Sequence, residues 1–207
     1  MSAELYILTP PRIEDGFAER LEAVVRAGSA SAVQIRLKDH APGEVERLAP
    51  DLIAAARAGG AAAIVNDDPA LAARLGADGV HVGQEDASVR EARAAVGERA
   101  IVGATCHDSR HLAMLAGEQG ADYVAFGAFF DTVTKTPKTR ASLDILTWWS
   151  ELFEIPCVAI GGITWQTAPS VIEAGADYLA VSGGIWSHAE GPEAAARGFA
   201  SLLSSPR

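Results

Sequence analysis

Two short clusters in this chain combine charge and spacing in a way that suits chemistry on an anion. In Val33-Gln-Ile-Arg-Leu-Lys38 every second residue is polar. In an extended strand that alternation puts Gln34, Arg36 and Lys38 on one face and Val33, Ile35 and Leu37 on the other. Arg and Lys are rarely buried without a partner, so an interior face ending in both requires an anion. The second cluster is acidic: Asn66-Asp-Asp-Pro69 follows an apolar run, and Val80-His-Val-Gly-Gln-Glu-Asp86 adds a further carboxylate. Pro69 suits the first position of a helix, which makes Asp68 its N-cap. Asp67 and Asp86 are then left facing Arg36 and Lys38. Mg²⁺ takes one or two carboxylates and completes its shell with phosphate oxygens and water, so the pair reads as a Mg²⁺ site beside a polyanion.

Three further segments fit the same chemistry. Ala159-Ile-Gly-Gly-Ile163 and Ala180-Val-Ser-Gly-Gly-Ile185 carry paired glycines, whose backbone N–H groups can close around a phosphate. The stretch Thr132-Val-Thr-Lys-Thr-Pro-Lys-Thr-Arg140 offers hydroxyls and the cation of Lys135, and its content predicts a mobile lid. Cys106 and His107 are sequential, hence on opposite faces of a strand, which argues against a Cys–His nucleophilic dyad. Both cysteines, Cys106 and Cys157, lie in short apolar runs and are expected to be inert buried thiols.

Strand ends must carry these residues. Three related pieces, Gly76-Ala-Asp-Gly-Val80, Gly120-Ala-Asp-Tyr-Val124 and Gly175-Ala-Asp-Tyr-Leu179, each follow a helical pattern and precede an apolar run. Each Gly therefore reads as the left-handed residue that stops a helix before a strand. Strands are predicted over 5–9, 32–37, 62–66, 79–82, 101–106, 123–129, 157–163 and 178–181, with helices over 15–27, 42–58, 70–75, 88–96, 109–119, 143–152, 167–174 and 192–203. The strands are continuous apolar runs, as parallel strands covered by helices should be. This alternation predicts an α/β chain forming a single (β/α)₈ TIM barrel over residues 1–207. A doubly wound open sheet uses the same units, but no Gly-x-Gly-x-x-Gly turn follows the first strand. In such barrels the active site lies at the C-terminal ends of the strands, where the polar clusters fall.

Composition narrows the partners. With 207 residues, 49% of them hydrophobic, the chain can bury one substantial core. A formal charge of −10 argues against nucleic acid and acidic membranes as partners, since both need a basic face. The local cations suit small anionic substrates instead. No segment is long and apolar enough to span a bilayer, and the first residues lack the pattern of a signal peptide, so a cytoplasmic location is expected. Assembly into a homo-oligomer is left open.

Taken in order, Val33–Lys38, Val65–Asp68, Gly79–Asp86, Asp131–Lys135 and Ala159–Ile163 resemble thiamine phosphate synthase and its thiazole tautomerase branch. The resemblance implies a transferase that joins a hydroxymethylpyrimidine diphosphate to a thiazole phosphate and releases pyrophosphate. It would assign Gln34, Arg36, Lys38, Asn66 and Lys135 to the pyrimidine diphosphate, Asp67 and Asp86 to Mg²⁺, and Thr132, Thr134 and Gly162 to the thiazole phosphate. Arg36, Lys38 and Lys135 would be its catalytic cations. Some positions depart from the family pattern: Leu37 replaces a Glu, Ala128 and Asp131 replace prolines, and Thr105 replaces a Ser but keeps the hydroxyl. In the last strand Gly183 stands where a phosphate-binding Ser is expected, with Ser182 one residue early.

The chemistry this implies needs no protein nucleophile. A benzylic-type diphosphate ionises to a resonance-stabilised cation if its leaving group is held by positive charge, and the thiazole nitrogen then attacks. Two alternatives remain at this stage. A tautomerase needs a titratable group in the sixth strand, where the sequence reads Phe126-Gly-Ala-Phe129. A non-catalytic barrel that binds phosphate ligands would tolerate the change at Gly183.

Overall fold

A computed structural model describes residues 3–131 and 139–204. Among these residues eight parallel strands close into a barrel in sequence order: β1 Glu4–Leu8, β2 Ala32–Ile35, β3 Ala62–Asn66, β4 Gly79–Val82, β5 Ile101–His107, β6 Tyr123–Gly127, β7 Cys157–Ile160 and β8 Tyr178–Val181. The pairing of β1 with β8, Tyr6 opposite Ala180, completes the ring. The helices are α1 Phe17–Gly28, α2 Pro42–Gly59, α3 Pro69–Leu75, α4 Val89–Val96, α5 Arg110–Glu118, α6 Asp144–Leu152, α7 Ala168–Glu173, α8 Gly183–Trp186 and α9 Pro192–Ser204.

Every expected strand is present, but β2, β6 and β7 end two or three residues before the apolar runs do. Those last residues leave the ladder to form the mouth of the barrel. The short α8 was not expected, because a Gly-Gly start disfavours a helix. It is held from outside: Trp186 Nε1 donates to the Leu8 carbonyl at 2.7 Å, and the Trp186 ring packs on Phe17 with centroids 4.9 Å apart.

The three Gly-Ala-Asp repeats act as staples at the closed end of the barrel. Gly76, Gly120 and Gly175 all have positive φ, which ends the preceding helix without a side-chain clash. The aspartate two residues on then bonds the strand before it. Asp78 accepts from Ala63 N at 2.8 Å, Asp122 from Val102 N at 2.7 Å and Asp177 from Cys157 N at 2.8 Å. Each aspartate's own N–H returns to the carbonyl of the same partner, at 2.8 to 3.0 Å. Arg57 and Arg93 pair with the first two of these carboxylates. These bonds fix the register of the pairs β3–β4, β5–β6 and β7–β8, and with it the height at which the far strand ends stop.

Two apolar layers result from strand alternation. The larger lies between sheet and helices and includes fully buried Leu21, Leu52, Leu146, Trp149, Leu179 and Phe199. Burying a side chain of this size contributes roughly 1.5–3 kcal/mol. The smaller fills the barrel itself with Tyr6, Leu8, Ile64, Tyr123, Ala125, Val158 and Ala180. Its upper part turns polar, with Gln34 and His81 buried there.

Candidate active site

A cavity of about 540 Å³ opens at the C-terminal ends of the strands. Gln34, Arg36, Lys38, Asn66, Asp67, Asp86, Thr105, Gly162, Ser182 and Gly183 all line it. Every described residue proposed from the sequence is therefore brought to one place. Thr132, Thr134 and Lys135, with the expected lid, lie outside the described residues.

The cationic wall is built by the end of β1. Thr9, almost fully buried, donates its N–H to the Gln34 carbonyl at 3.0 Å, and its Oγ1 accepts the Arg36 N–H at 2.8 Å. These bonds hold the chain just beyond the end of β2, where it enters a turn at Lys38: Leu37 is buried while Arg36 and Lys38 line the cavity. Burial lowers the Arg36 pKa, and the charges of Asp67 and Asp39 raise it back in part. Lys38 Nζ is paired with Asp67 Oδ2. The cations of this wall and a carboxylate thus share charge.

The acidic side splits its two adjacent aspartates as expected. Asp68 Oδ1 accepts from Leu71 N at 2.8 Å and caps α3. Asp67 has a φ of 66°, a left-handed conformation that Asp and Asn tolerate better than other side chains, and its N–H bonds the His81 carbonyl at 2.8 Å. That turn sends the Asp67 carboxylate into the cavity and Asp68 away to the helix. Asp86 closes a short loop by accepting from Gly83 N at 2.8 Å. No group of three or more His, Cys, Asp or Glu side chains suited to a metal occurs among the described residues. Two carboxylates, hard oxygen donors, lining a cavity beside cations still fit Mg²⁺, which takes the rest of its shell from phosphate and water.

On the far wall, Gly161 and Gly162 have φ of 99° and 66°. A Cβ on Gly161 would meet Ala128 Cβ at 2.4 Å, and one on Gly162 the Asp131 carbonyl at 2.3 Å. Only glycine lets this corner pass so close under the loop after β6. Ser182 precedes α8, its carbonyl accepting from Ile185 N and Trp186 N.

β5 carries an irregularity between Thr105 and His107, and His107 has a φ of 55°. His107 and Thr105 line the cavity while Cys106 points into the outer core. Burial pushes the Cys106 thiol up to about 12, and the Cys157 thiol likewise. Both cysteines are free and buried, as the sequence led us to expect, and neither is a nucleophile at neutral pH.

Residues 5–185 match the family profile of thiamine monophosphate synthase. The chain belongs to that family. It is 59% identical over 196 residues to the thiamine-phosphate synthase of Rhodospirillum centenum, covering 94% of this chain and 95% of the relative. It is 52% identical over 206 residues to the thiamine-phosphate synthase of Erythrobacter litoralis, covering 98% and 96%. Among solved structures, thiamine phosphate pyrophosphorylase from Pyrococcus furiosus superposes with a TM-score of 0.84 at 30% identity, over 97% of this chain and 95% of that one. A 3-hexulose-6-phosphate synthase, with a TM-score of 0.72 at 20% identity, shares the fold.

On the cavity floor of this family member, Gln34 and Thr105 are joined by three residues not singled out from the sequence, Tyr6, Tyr123 and His81. Gln34 Nε2 donates to Tyr6 Oη at 3.2 Å, and Tyr6 Oη lies 2.9 Å from Tyr123 Oη. Tyr123 Oη is 2.8 Å from His81 Nδ1, and His81 Nε2 is 2.7 Å from Thr105 Oγ1. Burial pulls the His81 pKa down to about 4, with Asp86 pulling it up and Arg36 down, so the imidazole is neutral at pH 7. Burial pushes Tyr6 up to about 12 and Tyr123 well above its ordinary value, so both hydroxyls keep their protons. A local signal existed for His81, an isolated polar residue in a β run. Nothing local linked it to two tyrosines 75 residues before it and 42 residues after it, apart from their inward parity.

Proposed function

We propose that this chain is a thiamine-phosphate synthase: it joins hydroxymethylpyrimidine diphosphate to thiazole phosphate and releases pyrophosphate. One observation carries the reading, the gathering of Arg36, Lys38, Asp67 and Asp86 with the Gly162 and Ser182 corner around one cavity of about 540 Å³. The same reading makes residues 1–207 one barrel domain and the protein a cytoplasmic enzyme of small-molecule substrates.

Arg36 and Lys38, joined by Lys135, hold the diphosphate. Lys38 exchanges its partner Asp67 for phosphate oxygens when the anion enters. Gln34 and Asn66 orient the pyrimidine end, and Thr105 adds a hydroxyl beside them. Asp67 and Asp86 would hold Mg²⁺, which when bound supplies positive charge to the leaving pyrophosphate. As the C–O bond breaks, negative charge builds on oxygens that already face fixed cations, so little reorganisation is needed. Gly162, Ser182 and Gly183, with Thr132 and Thr134, hold the thiazole phosphate so that the ring nitrogen faces the pyrimidine methylene carbon. Ala125, Val158 and Ala180, apolar residues that also line the cavity, limit water that would trap the cation.

Pyrophosphate release by the purified protein, with Mg²⁺ and each substrate omitted in turn, tests this. Release that needs all three components supports the synthase. Absence of release while both ligands bind would replace it with a binding barrel.

A further inference from the structure

Five side chains from five strands form one unbroken hydrogen-bond chain across the cavity floor, and its direction is set at one end. An amide nitrogen only donates, so Tyr6 Oη accepts from Gln34 Nε2. Either oxygen could donate in the Tyr6–Tyr123 contact, and the His81 contact depends on the tautomer; with each hydroxyl proton used inside the run, Tyr6 donates to Tyr123 and Tyr123 to His81 Nδ1. A neutral imidazole with Nδ1 accepting carries its hydrogen on Nε2, which donates to Thr105 Oγ1. Among the described residues two groups are left over, both on residues that line the cavity: the Gln34 carbonyl, an acceptor, and the Thr105 hydroxyl proton, a donor.

The chain is reinforced by packing. His81, Gly103 and Tyr123 lie in one row across β4, β5 and β6, and Gly103 has no side chain to keep the Tyr123 ring from leaning over it. Turning the Gln34 amide over would require all four bonds to reverse together, or a buried polar group to go unpaired.

We propose that Tyr6, Tyr123 and His81 are positioning residues for ring selection. They hold the Gln34 carbonyl as acceptor for an exocyclic amine and the Thr105 hydroxyl as donor to an acceptor atom of the same ligand. A ring with a carbonyl in place of the amine would set two acceptors against each other at Gln34 and is rejected. This rests on the reading of the cavity as a pyrimidine diphosphate site.

Two measurements test it. ¹⁵N NMR of the ligand-free wild-type protein should show His81 protonated on Nε2 with Nδ1 accepting; protonation on Nδ1 would reverse the chain and overturn the proposal. Calorimetry should then compare an aminopyrimidine diphosphate with its oxo analogue. Wild type should prefer the amine on the order of 10–100-fold in Kd. Tyr123→Phe and Tyr6→Phe should each cut that ratio about tenfold or more, by loosening the amide. An unchanged ratio in both folded variants refutes the positioning role. The ratio is read without turnover. A protein that discriminates as expected yet releases no pyrophosphate keeps this inference and loses the proposed reaction, and one that turns over without discriminating does the reverse.

Discussion

Gly103→Ala is the sharpest single perturbation of the barrel interior. A Cβ at this position would sit 1.9 Å from Tyr123 Cζ and 2.3 and 2.4 Å from its two Cε atoms. Carbon atoms pack at about 3.5 Å or more, so the ring must move by roughly 1.5 Å. Its hydroxyl bonds to Tyr6 at 2.9 Å and to His81 at 2.8 Å, and neither survives that shift. Overpacking costs about 1–3 kcal/mol, and each lost hydrogen bond adds about 1 kcal/mol. Replacing glycine in a strand returns about 0.5–1 kcal/mol of backbone entropy. The net loss is about 2–4 kcal/mol, which for a chain of this length lowers Tm by about 5–15 °C. Thermal and urea unfolding of the two proteins measure it directly. A variant melting within about 2 °C of the parent would mean that the Tyr123 ring does not lie over Gly103, and the arrangement of the floor would have to be abandoned.

Adjacent aspartates should separate catalysis from stability. Asp67→Asn, which keeps the left-handed turn, should lower pyrophosphate release by about 100-fold or more with unfolding unchanged within about 1 kcal/mol. Asp68→Ala should retain turnover and lose about 1 kcal/mol of stability with its cap, and a reversed pattern would reject the split. Stability should also fall with acid through His81. Its folded pKa of about 4 lies below the ordinary 6.5, so the unfolded chain binds the extra proton between those values. Stability is then full above pH 6.5 and declines as pH falls to about 4, by about 3 kcal/mol in the limit. Urea midpoints across that range, compared with His81→Gln, test the sign: a flat wild-type profile would contradict it. Asp177→Ala removes the bond to Cys157 N and should cost about 1–3 kcal/mol in the same assay.

Much of this protein could be read before it was folded. Alternation in Val33–Lys38 placed Gln34, Arg36 and Lys38 on one face because a strand has a period of two whatever surrounds it. Pro69 identified Asp68 as a cap, and the Gly-Ala-Asp repeats marked three junctions, because these are local backbone properties. The family resemblance followed from five short segments, Val33–Lys38 and Val65–Asp68 among them, and the match over residues 5–185 bears it out.

The rest depended on closure. That β1 lies beside β8 and that Tyr6 meets Tyr123 across 117 residues are facts of barrel geometry. The repeat aspartates announced turns, yet their bonds to the start of the neighbouring strand needed that neighbour in place. α8 exists against its own sequence because Trp186 is anchored to Leu8. Local chemistry thus determined which residues could act, since propensity and parity are written in adjacent positions. Tertiary structure alone decided which of them share a hydrogen bond, because contact between distant strands depends on a register that no single segment contains.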